Sequence, residues 1–258
     1  MKKQITFLTG LSLLLGLTFT ACEEEGNDTP EERVLYPKTI TEYENGVLND
    51  TQTFEYNSNK QLIKRDYGYG YYETYEYDEE GKLIFITYNE ANEVYNSDSL
   101  IYNNNDQLIK IQAISANDNI MVGLVIFEYN SAGFVSKRSE YLSDGTHYSN
   151  WIYTYDSEGN IVYQKNFYRD QETEVIPTDV YDEVNYEYDN KNNIFKSIGL
   201  PFRYKTHINN VTKKTFTEIP EHDDDFTTTY TYTYNSDNYP VEYVDNYGCK
   251  YEIEYIEL

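Results

Sequence analysis

The nine residues YEYDEEGKL (75–83) decide the fold. Tyr77 is followed by Asp78, and Gly81 stands three residues further on. An Asx residue suits the first position of a type I turn, and glycine accepts the left-handed backbone that completes it. Together they specify a short β-hairpin loop closed by a bulge. The unit recurs as FEYNSNKQL (54–62), LIYNNNDQL (100–108), FEYNSAGFV (127–135), YTYDSEGNI (153–161), YEYDNKNNI (186–194) and YTYNSDNYP (232–240). Each anchor tyrosine (Tyr56, Tyr77, Tyr102, Tyr129, Tyr155, Tyr188, Tyr234) precedes Asn or Asp. The left-handed position is Gly, Asn or Asp in every unit except the first, which has Lys60.

A turn of this kind sets the register. Asp78 is expected to face Lys82, Tyr77 to face Leu83 and Tyr75 to face Phe85. Eight residues after the anchor stand Lys64, Lys110, Lys137 and Lys196, which the same arithmetic places opposite Phe54, Leu100, Phe127 and Tyr186. Two readings of that row stay open. The lysine stems lie on the rings with the ammonium groups in water, or the row lines a Tyr/Lys lumen that holds a ligand.

The rest of the chain fits the same plan. Asn45-Gly46 is a two-residue hairpin signal, Asn209-Asn210 reads as a further hairpin, and EIPEHDDDF (218–226) reads as an acidic loop. With 31 Tyr among 258 residues the chain favours strands. The expected fold is all-β: an antiparallel up-and-down meander of about fourteen to eighteen strands, as a curled sheet or a barrel. The face opposite the anchor tyrosines carries Glu55, Glu76, Glu128 and Glu187, which suits water rather than lipid. The formal net charge of −25 repels nucleic acid phosphates and anionic headgroups, so no nucleic acid partner is expected.

Residues 1–21 read as a secretory signal: Lys2 and Lys3, then an apolar stretch from Ile5 to Phe19. Cys22 follows at once. Only one other cysteine exists, Cys249, so a disulfide-stapled fold is not expected. Residues 22–33 are acidic and contain Gly, Asn and Pro, as a disordered tether does. Residues 34–258 then form one hairpin-repeat domain.

Three resemblances accompany these readings. Phe19-Thr20-Ala21-Cys22 resembles a bacterial lipobox, which implies cleavage before Cys22 and its lipidation. The acidic run after it resembles the export signal of Bacteroidetes surface lipoproteins, which implies the outer membrane, facing outward, with a periplasmic orientation as the alternative. YEYDEEGKL and YTYDSEGNI resemble the YD repeats of the Rhs family. With the lipobox, they make residues 34–258 similar to a Bacteroidetes lipoprotein family of unknown function with a porin-like fold, and that resemblance implies no catalytic residues.

Chemistry-bearing clusters are scarce. His147, His207 and His222 lie apart, each at a turn or strand, and none has a neighbour at metal-ligand or triad spacing. Asp223-Asp224-Asp225 reads as a solvated loop. No metal or cofactor is expected, and neither is an enzyme. The leading expectation is a lipid-anchored binding module for a glycan or peptide, with Trp151, Tyr69 and Tyr71 as aromatic contacts. A structural or interaction protein is the alternative, and a hydrolase comes third.

Overall fold

The computed structural model describes residues 33–169, 180–201, 207–219 and 225–258. The signal segment, Cys22, the tether up to residue 32, His222 and Asp223-Asp224 lie outside the described residues. Arg33–Leu258 is one compact unit. Its strands are β1 Tyr36–Glu44, β2 Val47–Tyr56, β3 Leu62–Asp66, β4 Tyr71–Tyr77, β5 Leu83–Glu90, β6 Glu93–Tyr102, β7 Leu108–Ser115 and β8 Met121–Tyr129. They continue as β9 Val135–Leu142, β10 His147–Tyr155, β11 Ile161–Tyr168, β12 Asp182–Tyr188, β13 Val211–Glu218, β14 Phe226–Tyr234, β15 Pro240–Asp245 and β16 Cys249–Ile256. Each strand pairs antiparallel with the next, and β16 pairs with β1, so the sixteen strands close into an up-and-down barrel. Closure leaves no sheet edge.

The repeat builds one end of the barrel, the Asx end. In the unit that holds Asp78, the backbone N–H of Asp78 donates to Lys82 O at 2.9 Å. Asp78 Oδ1 accepts from the N–H groups of Glu80 and Lys82 at 3.0 and 2.8 Å. Lys60, Gly81, Asp106, Gly133, Gly159 and Asn238 all take positive φ. At the opposite end Asn45-Gly46 closes β1 onto β2, with Glu44 facing Val47.

The register departs from expectation one step past the turn. Tyr77 faces Leu83, but Glu76 faces Phe85 and Tyr75 faces Ile86. Ile84 is the extra residue of a β-bulge. Leu83 and Ile86 are both buried, at 3% and 0% exposure, while Ile84 is exposed. The bulge thus sends two core residues inward across a gap of three, bending the strand and increasing its twist. The same shift stands next to Tyr56, Tyr102, Tyr129, Tyr155, Tyr188 and Tyr234.

The bulge also overturns the lysine row. Lys64 faces Glu55, Lys110 faces Ile101 and Lys137 faces Glu128, all on the outer wall. Lys137 pairs with Glu128 at 3.1 Å, and Lys64 with Glu55 at 3.8 Å and Asp66 at 2.9 Å. These lysines do not line a lumen.

The unit YEYDNKNNI is not a hairpin. Asn193 starts a new turn instead, its Oδ1 accepting from Phe195 N–H at 2.9 Å. The return strand is β13, with Tyr188 facing Val211. The chain between them carries Ile194 and Ile198 into a buried cluster with Phe54, Leu62, Leu83, Leu108, Val135 and Ile161. Ser197 Oγ ties it to Leu35 O at 2.6 Å. It is a plug. Wall side chains cannot fill so wide a barrel, and this insertion supplies the missing apolar volume. Lys196 is on the plug, where it donates to Asn192 Oδ1 at 2.9 Å, not on a strand. Of the hairpin expected at Asn209-Asn210, the first arm at residues 203–206 lies outside the described residues. Asn209 bonds Asn160 at 2.9 Å, and Asn210 bonds Asp189 Oδ2 at 3.2 Å, anchoring the plug's return to the wall.

Tyrosine hydroxyls bind neighbouring hairpins together around the Asx end. Tyr77 donates to Leu62 O, Tyr102 to Leu83 O, Tyr129 to Leu108 O and Tyr155 to Val135 O, at 2.7–2.8 Å. Tyr188 continues to Ile161 O, Tyr232 to Val211 O, Tyr255 to Pro240 O and Tyr56 to Pro37 O, completing the circuit. Tyr232 takes the place that the spacing gives Tyr234, whose hydroxyl goes to Asp189.

Candidate functional site

Alternation along the strands gives the lumen two zones. Near the Asx end it is filled by the plug and the aliphatic ring. Beyond that it is lined by aromatic and polar side chains, which strand order places on one face. Arg138 on β9 and Trp151 on β10 are direct partners across the sheet. The Arg138 guanidinium lies 4.0 Å from the Trp151 ring centroid, so one face of the indole is covered. Arg138 also pairs with Glu140, whose other oxygen accepts from Ser149 Oγ at 2.9 Å. Tyr153, 7% exposed, packs beside them. On β3, Arg65 donates to Gln52 Oε1 at 2.8 Å and stacks 4.5 Å from Tyr67.

Among the described residues, Lys214 on β13 is a third cation facing this zone. Its cross-strand neighbours are Tyr186 and Thr228. It lines a cavity of about 300 Å³ with Tyr186, Tyr230, Tyr232, Tyr243 and His207, floored by plug residues Asn193, Ile194 and Phe195. Among the described residues its ammonium has no hydrogen-bond or ion-pair partner. Asp182 on β12 is buried and bonded by Asn166 Nδ2; burial, before any other cause, raises its pKa.

His207, read from the sequence as a lone histidine at a turn or strand, is half-buried against Tyr186 and Tyr188, with ring centroids 5.1 and 5.5 Å away. Tyr188 Oη lies 2.5 Å from Ile161 O and 2.7 Å from His207 Nδ1. A carbonyl only accepts, so the tyrosine proton goes to Ile161. His207 Nδ1–H then donates to Tyr188, leaving Nε2 with a lone pair. Burial first, and the Lys214 charge second, hold this imidazole down to about 4, so it is neutral at pH 7.

The residues singled out from sequence do not converge. Trp151 is inside the barrel. Tyr69 and Tyr71 are at the end opposite the plug: Tyr69 is 84% exposed and bonds Asn49 O at 2.9 Å, while Tyr71 bonds Glu90. Lys64, Lys110 and Lys137 are outside. Lys214, Arg138 and His207 were missed. The Lys213-Lys214 dipeptide is the one usable signal, because adjacent strand residues face opposite sides and one of the two must point inward.

No family model matches the chain, and no curated protein matches it. Solved structures do. A porin-like protein from Bacteroides uniformis ATCC 8492 is similar over 84% of this chain and 96% of its own, at a TM-score of 0.54 and 14% identity. The fold is a porin-like barrel. A second porin-like protein, from Bacteroides vulgatus ATCC 8482, is similar over 87% of this chain and 100% of its own, at a TM-score of 0.57 and 13% identity. At such identities the likeness carries the architecture alone. This porin-like barrel differs from an open channel in one visible respect: the cluster joining the plug to Leu62, Leu83, Leu108, Val135 and Ile161 is 1–8% exposed. A continuous water path through that section would leave those side chains wet.

Proposed function

We propose that the protein is a lipid-anchored, non-catalytic binding barrel of the outer membrane, a plugged cup that takes a small glycan- or peptide-derived ligand. The plug carries this reading. It closes the Asx end, while the remaining lumen presents aromatic faces beside a few polar groups, the usual make-up of a small-molecule site. Cys22 and the signal before it support the anchor.

The outer wall supports a water-facing barrel. Ion pairs Lys137–Glu128, Lys213–Glu187 and Lys165–Glu183 stand on it, where a membrane-spanning wall needs an apolar band. The Lys137–Glu128 pair stands on the hairpin FEYNSAGFV, whose Asx turn and bulge recur around the barrel, and that recurrence supports the Rhs-like reading of the repeat. Binding of the purified protein to arrays of surface glycans and peptides tests the proposal. No binding anywhere, with self-association or a co-purifying protein instead, would favour the second reading, an interaction protein. One observation supports that alternative: Val47, Leu48, Tyr69, Ile120 and Tyr247, all at the end opposite the plug, are 53–84% exposed.

A further inference from the structure

We propose that Lys214 and His207 form a subsite for a small ring-bearing carboxylate, of the hexuronate type. The inference rests on the binding-barrel reading and names its ligand class. In a chain of net charge −25, an inward lysine with no counter-ion in contact among the described residues stands out. Of the acids near it, Asp182 is 3% exposed and already held by Asn166, Glu218 stands opposite Asp182, and Asp245 and Glu42 act on Tyr230 and Tyr243 of the same cavity. Lys214 is the cation of the cavity lining, and an anion bound there is compensated by it. The cavity, about 300 Å³, is sized for a single small ring.

The remaining groups narrow the class. Tyr186 and Tyr243 bring aromatic rings to the cavity wall; Tyr251 stacks on one face of Tyr243 at 4.4 Å and His207 lies against Tyr186, so a sugar ring meets at most the remaining faces. The neutral His207 Nε2 accepts a hydrogen bond, so it suits a hydroxyl and not a second carboxylate oxygen. One carboxylate, one hydroxyl donor and one ring face describe an acidic sugar better than a neutral one.

Calorimetric titration of the full chain with D-glucuronate, D-glucose and benzoate tests this. Glucuronate is expected to bind about tenfold or more tightly than glucose, and to lose about tenfold in Lys214→Gln, but not in the outer-wall variant Lys64→Gln. Equal glucuronate affinity in Lys214→Gln and wild type overturns the site. So does neutral-sugar binding that Lys214→Gln leaves unchanged, although the binding-barrel reading then survives. Tighter binding of benzoate than glucuronate overturns the sugar assignment. No binding of these probes, or of any array ligand, overturns both proposals. Should Lys214→Gln fail to fold, the imidazole NMR signals of His207 in the wild type decide: they shift on adding glucuronate if the site is right, and stay fixed if it is wrong.

Discussion

The Tyr77 hydroxyl donates to the carbonyl of Leu62 at 2.8 Å, joining two hairpins where their backbone ladder has already ended. The last pair between β3 and β4 on that side is Lys64 with Thr74, two residues short of Leu62. The β5–β6 ladder likewise stops at Phe85 and Ser99, short of Leu83, which Tyr102 reaches at 2.7 Å. The tyrosine thus replaces a missing strand partner. A buried carbonyl demands one.

Tyr77→Phe keeps the ring and removes only the donor. Leu62, 2% exposed, then holds an orphan carbonyl, and the expected cost is about 1–3 kcal/mol. Tyr247→Phe, at a position 61% exposed, should stay within about 0.5 kcal/mol. Urea unfolding midpoints at matched slopes measure both. Equal, small effects would remove the ladder from the account of stability.

The same burial makes the barrel sensitive to alkali. Desolvation pushes Tyr77, Tyr102 and Tyr186 up to about 12. In the unfolded chain a phenol ionises near pH ~10. The folded state therefore keeps protons that the unfolded state gives up. The contribution is complete below pH ~10 and is lost as pH rises through about 12. Unfolding free energy measured across that window should fall, with phenolate absorbance rising as structure is lost. A flat profile would contradict the burial of these rings.

The hairpin turns were legible because they are local. Asp78 and Gly81 settle theirs within four positions, and five of the other six units have the same positive φ at that site. The bulge beyond each turn was not legible. Leu83-Ile84-Phe85-Ile86 is apolar throughout, so alternation gives no phase there. One skipped residue was enough to move Lys64 and Lys137 from the supposed lumen to the outer wall. The plug was hidden for another reason. YEYDNKNNI has the same local signals as its siblings, and only the unfilled interior of a closed sixteen-strand barrel draws Ile194 and Ile198 inward. Lys214 depends on that closure as well, since its neighbours come from β12, β14, β15 and the plug.

Adjacent residues of β9 test the corrected register directly. Lys137 is on the outer wall in a pair with Glu128, and Lys137→Ala should cost about 0–1 kcal/mol. Arg138 is inside, its side chain 11% exposed, paired with Glu140 and stacked on Trp151. Arg138→Ala strands the Glu140 charge and opens a gap beside the indole, for an expected loss of about 3 kcal/mol. Thermal unfolding of both variants, with Trp151 fluorescence as a local reporter, gives the comparison. The reverse ranking would restore the unbulged register.

Gly133 and Gly159 occupy the same position in consecutive units, with φ of 86° and 92°. An alanine at either pays about 1 kcal/mol or more for a left-handed backbone. A Cβ on Gly133 meets nothing within 4 Å, whereas one on Gly159 falls 2.9 Å from Ile208 Cδ1 and 3.0 Å from the Phe134 ring. Phe134 stacks on Tyr155 at 4.9 Å, so it cannot yield without giving up that contact. Gly133→Ala should therefore cost about 1 kcal/mol and Gly159→Ala about 2–3 kcal/mol, the excess coming from the disturbed stack. Urea denaturation of the pair separates backbone strain, common to both, from crowding at Phe134 and Ile208. Indistinguishable midpoints would mean that Ile208, on the chain returning from the plug, does not pack against this turn.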